Sequence, residues 1–444
     1  MATEREEKHV IRRVIKLLLL LAAAAAQLAH AQLVTGRLTT SFYTFDRFDT
    51  VGSSKTYLRA FQSVQLSATQ GEISLHTYLQ GAVNGTNQFG DIGRVRFYNL
   101  YLRMANIAKI VDVDLGRQAI YAGVGNGTID GLSARARLWD NQITLAGYGG
   151  ANVNIDYTGV QKDWHDNLNV GGQLITTLVS DMRVGLSYMN RHEQLDPYWT
   201  LRARDTTYSA IPFYIANSST SQQLGSADVS YSYGELISAY GRYDYDFNLK
   251  QTSRGQGALR LNVTRSLTVT GDVIYRQPQI PYNSIFWAFA SNATTEAEGG
   301  LEYGFTPLFR AFAKLGLVSY SGDQSTSWTA GLNTGYGSFS YSGSSGYAGE
   351  LQSLNIQGAY PVLDRKVVPS VGLSYSSYKL SADEATENAL ALLLGATVRP
   401  INCFSFDLQG QWMKNSVYNR DMRLQLRLMY WFAQRMSLFS EEVK

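Results

Sequence analysis

From Met422 to Phe432 every second residue is apolar: Met422, Leu424, Leu426, Leu428, Tyr430 and Phe432. The residues between them begin Arg423, Gln425, Arg427 and end Met429, Trp431. A β-strand sends alternate side chains to opposite faces. One face of this strand therefore suits hydrocarbon, with aromatics gathered at one end, and the other suits water. A soluble sandwich edge and a membrane barrel strand both meet that description, so the rest of the chain must decide.

The N-terminus reads as an export segment, residues 1–31. Arg12, Arg13 and Lys16 form a basic head, and Leu17 to Ala26 an apolar run. At about ten residues that run is too short to span a bilayer as a helix. Ala29-His30-Ala31 fits a small-x-small cleavage rule. No later run reaches the ~18 consecutive apolar residues of a transmembrane helix. The chain holds 29 Tyr and 40 Gly but 8 Pro, which suits many long strands joined by tight turns. Cys403 is the single cysteine, which excludes an intrachain disulfide, a Cys-x-x-Cys zinc site and a Cys-x-x-Cys-His haem attachment. A net charge of +3 gives no argument for nucleic acid.

Residues 32–444 break into about 22 alternating segments, from 37–46 and 56–69 to 402–413 and 420–432. Connections between them alternate short (Gln70-Gly71, Ser180-Asp181, Arg265-Ser266) and long (119–130, 151–167, 193–221, 278–292). Short turns at one end and long loops at the other, with both termini at the short-turn end, predict an all-β fold. It is an antiparallel transmembrane β-barrel of the outer-membrane type, with a short C-terminal tail. The range 18–24 strands covers two ambiguous stretches. Residues 193–221 have room for a further hairpin, and Glu384 to Leu394 could form a short helix.

The most distinctive local run is Val111-Asp112-Val113-Asp114-Leu115-Gly116-Arg117-Gln118. After a glycine-rich loop comes Asp130-Gly131-Leu132-Ser133-Ala134-Arg135-Ala136-Arg137-Leu138-Trp139. Over 109–150 this resembles bacterial outer-membrane porins of the alginate-export and related large-porin group. There a Leu-Gly-Arg-Gln strand end is followed by an Asp-Gly strand start. The chain departs from a common barrel ending, because 12 residues follow Phe432.

The residues themselves carry a further expectation. Val111, Val113 and Leu115 face one way, so Asp112 and Asp114 face the other; Ala134, Ala136 and Leu138 place Arg135 and Arg137 likewise. Charge on a lipid face costs a few kcal/mol near the midplane, so these four belong inside, attracting across neighbouring strands. They form either a charged wall that filters solutes or a brace for the barrel. The same alternation puts Arg242, Asp244, Arg260, Arg276, Arg423 and Arg427 in the lumen, with Arg310 and Lys314. Arg423 and Arg427 lie where the last strand closes on the first and its Arg37, a basic seam that would favour anionic solutes.

Catalysis finds little support. His76 shares a strand face with Ser74, but no acid or oxyanion motif accompanies them. Gly123-Val124-Gly125-Asn126-Gly127 reads as a flexible turn, since no helix pattern follows it to hold a phosphate. Ten aromatics near strand ends, among them Tyr101, Tyr148, Tyr243, Tyr430 and Trp431, read as interfacial girdles.

The sequence thus predicts a channel in the outer membrane, surrounded by lipid, that passes small hydrophilic solutes without a cofactor. The alternative is a sheath around a partner such as a periplasmic multihaem cytochrome. It arises because ~22 strands enclose a wide lumen and no plug domain precedes the first strand.

Overall fold

The computed structural model describes residues 33–48, 54–86, 95–153, 156–159, 163–193, 198–204, 209–215, 222–279, 292–347, 349–381, 384–418 and 420–435. Residues 1–31, read from sequence as an export segment, and the end of the C-terminal tail lie outside the described residues.

The described chain is all strand and turn. In order the strands are β1 (Leu33–Phe48), β2 (Ser54–Gln70), β3 (Ile73–Thr86), β4 (Val95–Ile107), β5 (Val111–Ala122), β6 (Gly125–Leu138), β7 (Ile143–Asn152) and β8 (Leu168–Thr176). Next come β9 (Met182–Arg191), β10 (Tyr198–Arg204), β11 (Ser209–Ile215), β12 (Gln222–Tyr233), β13 (Ile237–Asp246), β14 (Gln251–Asn262), β15 (Leu267–Arg276) and β16 (Thr294–Thr306). The last are β17 (Phe309–Tyr320), β18 (Asp323–Thr334), β19 (Gly337–Gly346), β20 (Gly349–Ala359), β21 (Val367–Lys379), β22 (Glu387–Ile401), β23 (Phe404–Lys414) and β24 (Asp421–Gln434).

Twenty-two of these form one antiparallel sheet in chain order, with β9 pairing β12 across the 193–221 connection, and β24 returns to pair with β1. The barrel is closed, so no strand edge is left to lipid and the sheet satisfies its own backbone groups. Both described termini lie at one end. Strands β10 and β11 form a separate hairpin inside the 193–221 connection. The stretch read as a possible helix near 384–394 is instead the start of β22, because Leu390, Leu392 and Leu394 alternate with small Ala389 and Ala391 and complete the sheet.

Register assigns the faces. Leu38, Thr40 and Phe42 sit opposite Tyr430, Leu428 and Leu426, while Thr39 and Ser41 sit opposite Met429 and Arg427. The apolar rows continue around the barrel and stay exposed in the isolated chain: Leu132, Val273, Leu301, Leu315 and Leu424 among them. Buried hydrophobic residues, by contrast, gather in one place, around Ile120, Val124, Ile129, Tyr148, Met189 and Leu224. A membrane barrel leaves its apolar outer face to lipid, so a dry cluster needs a separate cause.

That cause is the β5–β6 hairpin. The 119–130 stretch, expected to be a long loop, is strand on both sides of a two-residue turn at Gly123-Val124. Pairing of β4 with β5 ends at Leu100↔Arg117, and that of β6 with β7 at Ile129↔Asn152. Beyond those points the hairpin leaves the wall. Its tip meets β9 and β12, strands that others separate from it around the sheet. Such strands meet only across the hollow of a closed barrel, so the hairpin is folded into the lumen.

Candidate functional site

The hairpin is held against the inner wall by alternating side chains. Ile120, Ala122 and Ile129 pack with Tyr148 of β7, and Val124 packs with Met189 of β9 and Leu224 of β12. Polar contacts fix the tip: the Val124 N–H donates to Ser187 Oγ at 3.0 Å, and Asn169 Nδ2 donates to the Asn126 carbonyl at 3.2 Å. Gly123 has φ +65°, and a Cβ there would lie 2.0 Å from Ser187 Oγ, so the tip fits only as glycine. The other face of the hairpin leaves Tyr121 84% exposed.

The hairpin's base carries a pin. Arg117 donates from Nε and Nη2 to both oxygens of Asp130, each at 2.7 Å, and from Nη1 to the Phe97 carbonyl at 3.2 Å and the Thr158 carbonyl at 2.7 Å. The Arg117 side chain is 8% exposed. Tyr157 and Thr158 come from the β7–β8 connection and fill the gap left where β5 departs from β4; the Phe97 N–H donates to the Tyr157 carbonyl at 2.8 Å. Gly116, next to the pin, has φ +125°, and a Cβ there would meet the Leu100 carbonyl at 2.4 Å. The bend is thus written into the Gly-Arg pair that also marks the porin-like run.

Because Leu224 and Met189 face inward, register carries that face around the barrel. On one side it passes through Tyr148, Ser133, Asp114, Arg103 and Ser74 to Ser67 and Arg37. On the other it passes through Asp244, Arg254, Arg276, Glu296 and Lys314. All ten expected positions share it, with partners that differ from the expected ladder. Asp112 stands opposite Arg135, yet its ion pair is the diagonal one with Arg137 at 2.6 Å. Asp114 is held in a two-point pair by Arg103 of β4, at 2.7 and 2.8 Å. Arg135 makes no ion pair among the described residues.

Further round, Arg242 pairs with Asp244 at 2.8 Å, Arg260 with Glu302 at 3.1 Å, and Arg276 with Glu296. Lys314 joins Glu298 at 2.7 Å, and Arg423 joins Asp421 at 2.8 Å. Arg427 lies opposite Asp407 in register without an ion pair among the described residues. From β18 to β21 the inner face changes character. Thr329, Ser342, Ser353 and Ser376 lie side by side, and Ser374 donates to Asn355 at 2.8 Å. One arc of the lumen is charged and another is neutral and hydroxyl-bearing.

Sequence reasoning missed Arg103, the Arg117–Asp130 pin, the Arg183–Asp228 pair (2.5 Å) and the acidic row of β16. It also placed Tyr101, Tyr148 and Trp431 in the outer girdle, where register turns them inward. Beyond a bulge at Tyr98, Tyr101 and Arg103 alternate with Leu100, Leu102 and Met104, so position near a strand end, not alternation, suggests the girdle for Tyr101. The alternation Ile120, Ala122, Val124 running into the glycine-rich stretch was the signal for the hairpin.

No protein-family model matches the chain, and no curated protein matches it. Solved structures do. A mutant of the ferric enterobactin receptor PfeA from Pseudomonas aeruginosa aligns over 89% of this chain and 80% of its own, with 9% identity and TM-score 0.57. The P pilus usher PapC translocation pore aligns over 91% of this chain and 100% of its own, with 10% identity and TM-score 0.48. Pseudomonas aeruginosa OpdQ aligns over 90% and 99%, with 11% identity and TM-score 0.42. At these identities the likeness is one of fold. The closed barrel with its apolar exterior is of the outer-membrane type, and the chain is an outer-membrane barrel protein.

Proposed function

We propose that the barrel is a channel for small hydrophilic solutes, narrowed by its own inward hairpin and tuned by the charges of its inner wall. The observation that carries this reading is the solvent access of the inward charges. Arg276 and Arg310 stay 57% and 55% exposed, and Arg103 and Arg260 42%, although all point into the barrel. The space in front of them is therefore open to solvent. The ten charged positions named from sequence line this pore: Asp112, Asp114, Arg135, Arg137, Arg242, Asp244, Arg260, Arg276, Arg423 and Arg427. Residues 1–31 serve as its export segment. No covalent step belongs to this reading.

A preference for anions rests on the guanidiniums without carboxylate partners. Most inward cations are neutralised by a neighbouring acid, but Arg37, Arg135 and Arg427 have no ion pair among the described residues. Unneutralised charge on a pore wall sets the sign of the ions it admits. The hairpin also supplies from the chain itself the filler that a sheath reading assigned to a cytochrome partner.

The test is a planar-bilayer recording of the purified protein under a salt gradient. A stable open level with an anion-selective reversal potential is expected. Arg135→Gln and Arg427→Gln together should move that potential toward the cation side. A barrel that inserts and never conducts would overturn the channel reading, and an unmoved potential would overturn the anion preference.

A further inference from the structure

The inner wall at the terminus-bearing end differs from the rest of the charged arc. There, across β24, β1, β2, β3 and β4, a groove of about 680 Å³ is lined by inward side chains that include Arg37, Ser67, His76, Tyr78, Tyr101 and Trp431. None of its lining residues is acidic. Register sets the side chains in two rows. Trp431, Arg37, Gln65 and Tyr78 lie side by side, and Thr35, Ser67, His76 and Tyr101 form the row next to them. The rings are arranged face to face. His76 stacks on Tyr101 at 4.9 Å and 19°, and Tyr78 on Tyr98 at 4.7 Å and 22°. The guanidinium of Arg103 lies 5.8 Å from the centre of the Tyr101 ring.

We propose that this groove is a binding station for small ring-bearing carboxylates, in which Arg37 takes the carboxylate and the rings of Tyr101, His76 and Tyr78 take the ring. The proposal rests on the channel reading and names the class of solute that path favours. Its argument is the mismatch between supply and demand for charge. On β13–β17 Arg242, Arg260, Arg276 and Arg310 face carboxylates of the wall itself. In the groove Arg37 faces rings, hydroxyls and amides, and its two-point donor fork has no carboxylate among the described residues. Ring faces within the same groove accept a flat partner by offset stacking or by contact with the C–H face of a sugar ring. A carboxylate without a ring meets half of this site, and a neutral ring meets the other half.

Aromatic acids and sugar acids share this chemistry, and the experiment separates them. The purified barrel is titrated with benzoate and with glucuronate, and with acetate and benzyl alcohol as the two half-ligands. Binding is read as the change in tryptophan fluorescence that is absent from Trp431→Phe, and as interruption of single-channel current. At least one ring-bearing acid should act at a concentration about tenfold below acetate and benzyl alcohol, the factor expected for one charge-assisted contact. Arg37→Gln should bring that acid to the level of benzyl alcohol, and Tyr101→Leu to the level of acetate, with the heat-modifiable barrel band retained. If Arg37→Gln fails to assemble, Gln65→Glu places a carboxylate directly across from Arg37 and should weaken the same ligand. Equal action of acetate and the ring acids, or variants without effect, would overturn the groove while leaving the channel. Ligand-dependent fluorescence from a barrel that never conducts would do the reverse.

Discussion

Removing the pin at the base of the hairpin should make the pore flicker. In Arg117→Ala, Asp130 loses both short ionic bonds, and the Phe97 and Thr158 carbonyls lose their donor. Breaking a buried ion pair from one side costs about 3–5 kcal/mol, because the remaining charge is stranded. Part of that cost falls on the bent conformation alone, since a hairpin that swings free lets Asp130 reach water. If about 3 kcal/mol falls there, the free-to-docked ratio rises by about two orders of magnitude. Removing Asp130 as well should recover much of this loss, because no unpaired charge is then buried. The assay is single-channel recording of wild type, Arg117→Ala, Asp130→Ala and the double variant. We expect brief excursions to a higher conductance in the single variants, rarer ones in the double variant, and a quiet level in wild type. A quiet wild-type level in Arg117→Ala, from a barrel with an intact heat-modifiable band, would refute the assignment of the pin.

Other outcomes follow from the same geometry. Tyr121 faces away from the hairpin's packing, so Tyr121→Ala should raise the open conductance and Tyr121→Trp lower it, with no change in unfolding midpoint; a midpoint shift would show that the ring is structural. Leu315 and Lys314 are adjacent on β17 but face opposite ways, so Leu315→Arg should cost about 2–4 kcal/mol in denaturant unfolding from lipid, while Lys314→Leu should cost less. Ser342→Asp introduces charge into the neutral arc and should change reversal potential rather than stability, measured on the same preparation. Asn169 donates to the Asn126 carbonyl and Ser187 accepts from the Val124 N–H, so Asn169→Val and Ser187→Val each remove one bond to the hairpin tip and each should lower stability in unfolding assays by about 1 kcal/mol or more.

The outer wall was legible because lipid imposes one rule on every strand. Leu259, Leu261 and Val269 must face out, and once they do, Arg260, Thr268 and Thr270 are fixed by period two. The pairing of charges was less legible. Alternation names the face of Asp112 but cannot choose between Arg135, directly opposite, and Arg137, one diagonal step away, because a guanidinium arm reaches both. The hairpin was hidden by its composition. Gly123, Gly125 and Gly127 look like a solvent loop, yet here they let the backbone approach Ser187, Tyr148 and Asn169 closely. Glycine reports that the chain comes near something or turns; the identity of the neighbour depends on closure of the ring. Tyr101 and Trp431 illustrate the same limit, since an aromatic near a strand end is equally at home at a lipid headgroup and in a lumen.

The pairing of Leu38 with Tyr430 and of Phe42 with Leu426 has a consequence in time. These partners stand at opposite ends of the polypeptide, whereas every other neighbouring pair in the wall is joined by a local connection. Local hairpins can form early at small entropic cost, but the last ladder requires both remote edges to be present and aligned at once. Until then β1 and β24 each offer an unsatisfied row of backbone groups, the kind of edge that recruits foreign strands. The rate of barrel maturation should therefore be governed by the meeting of these two strands. An altered register there would delay completion of the barrel without weakening any of the hairpins that precede it.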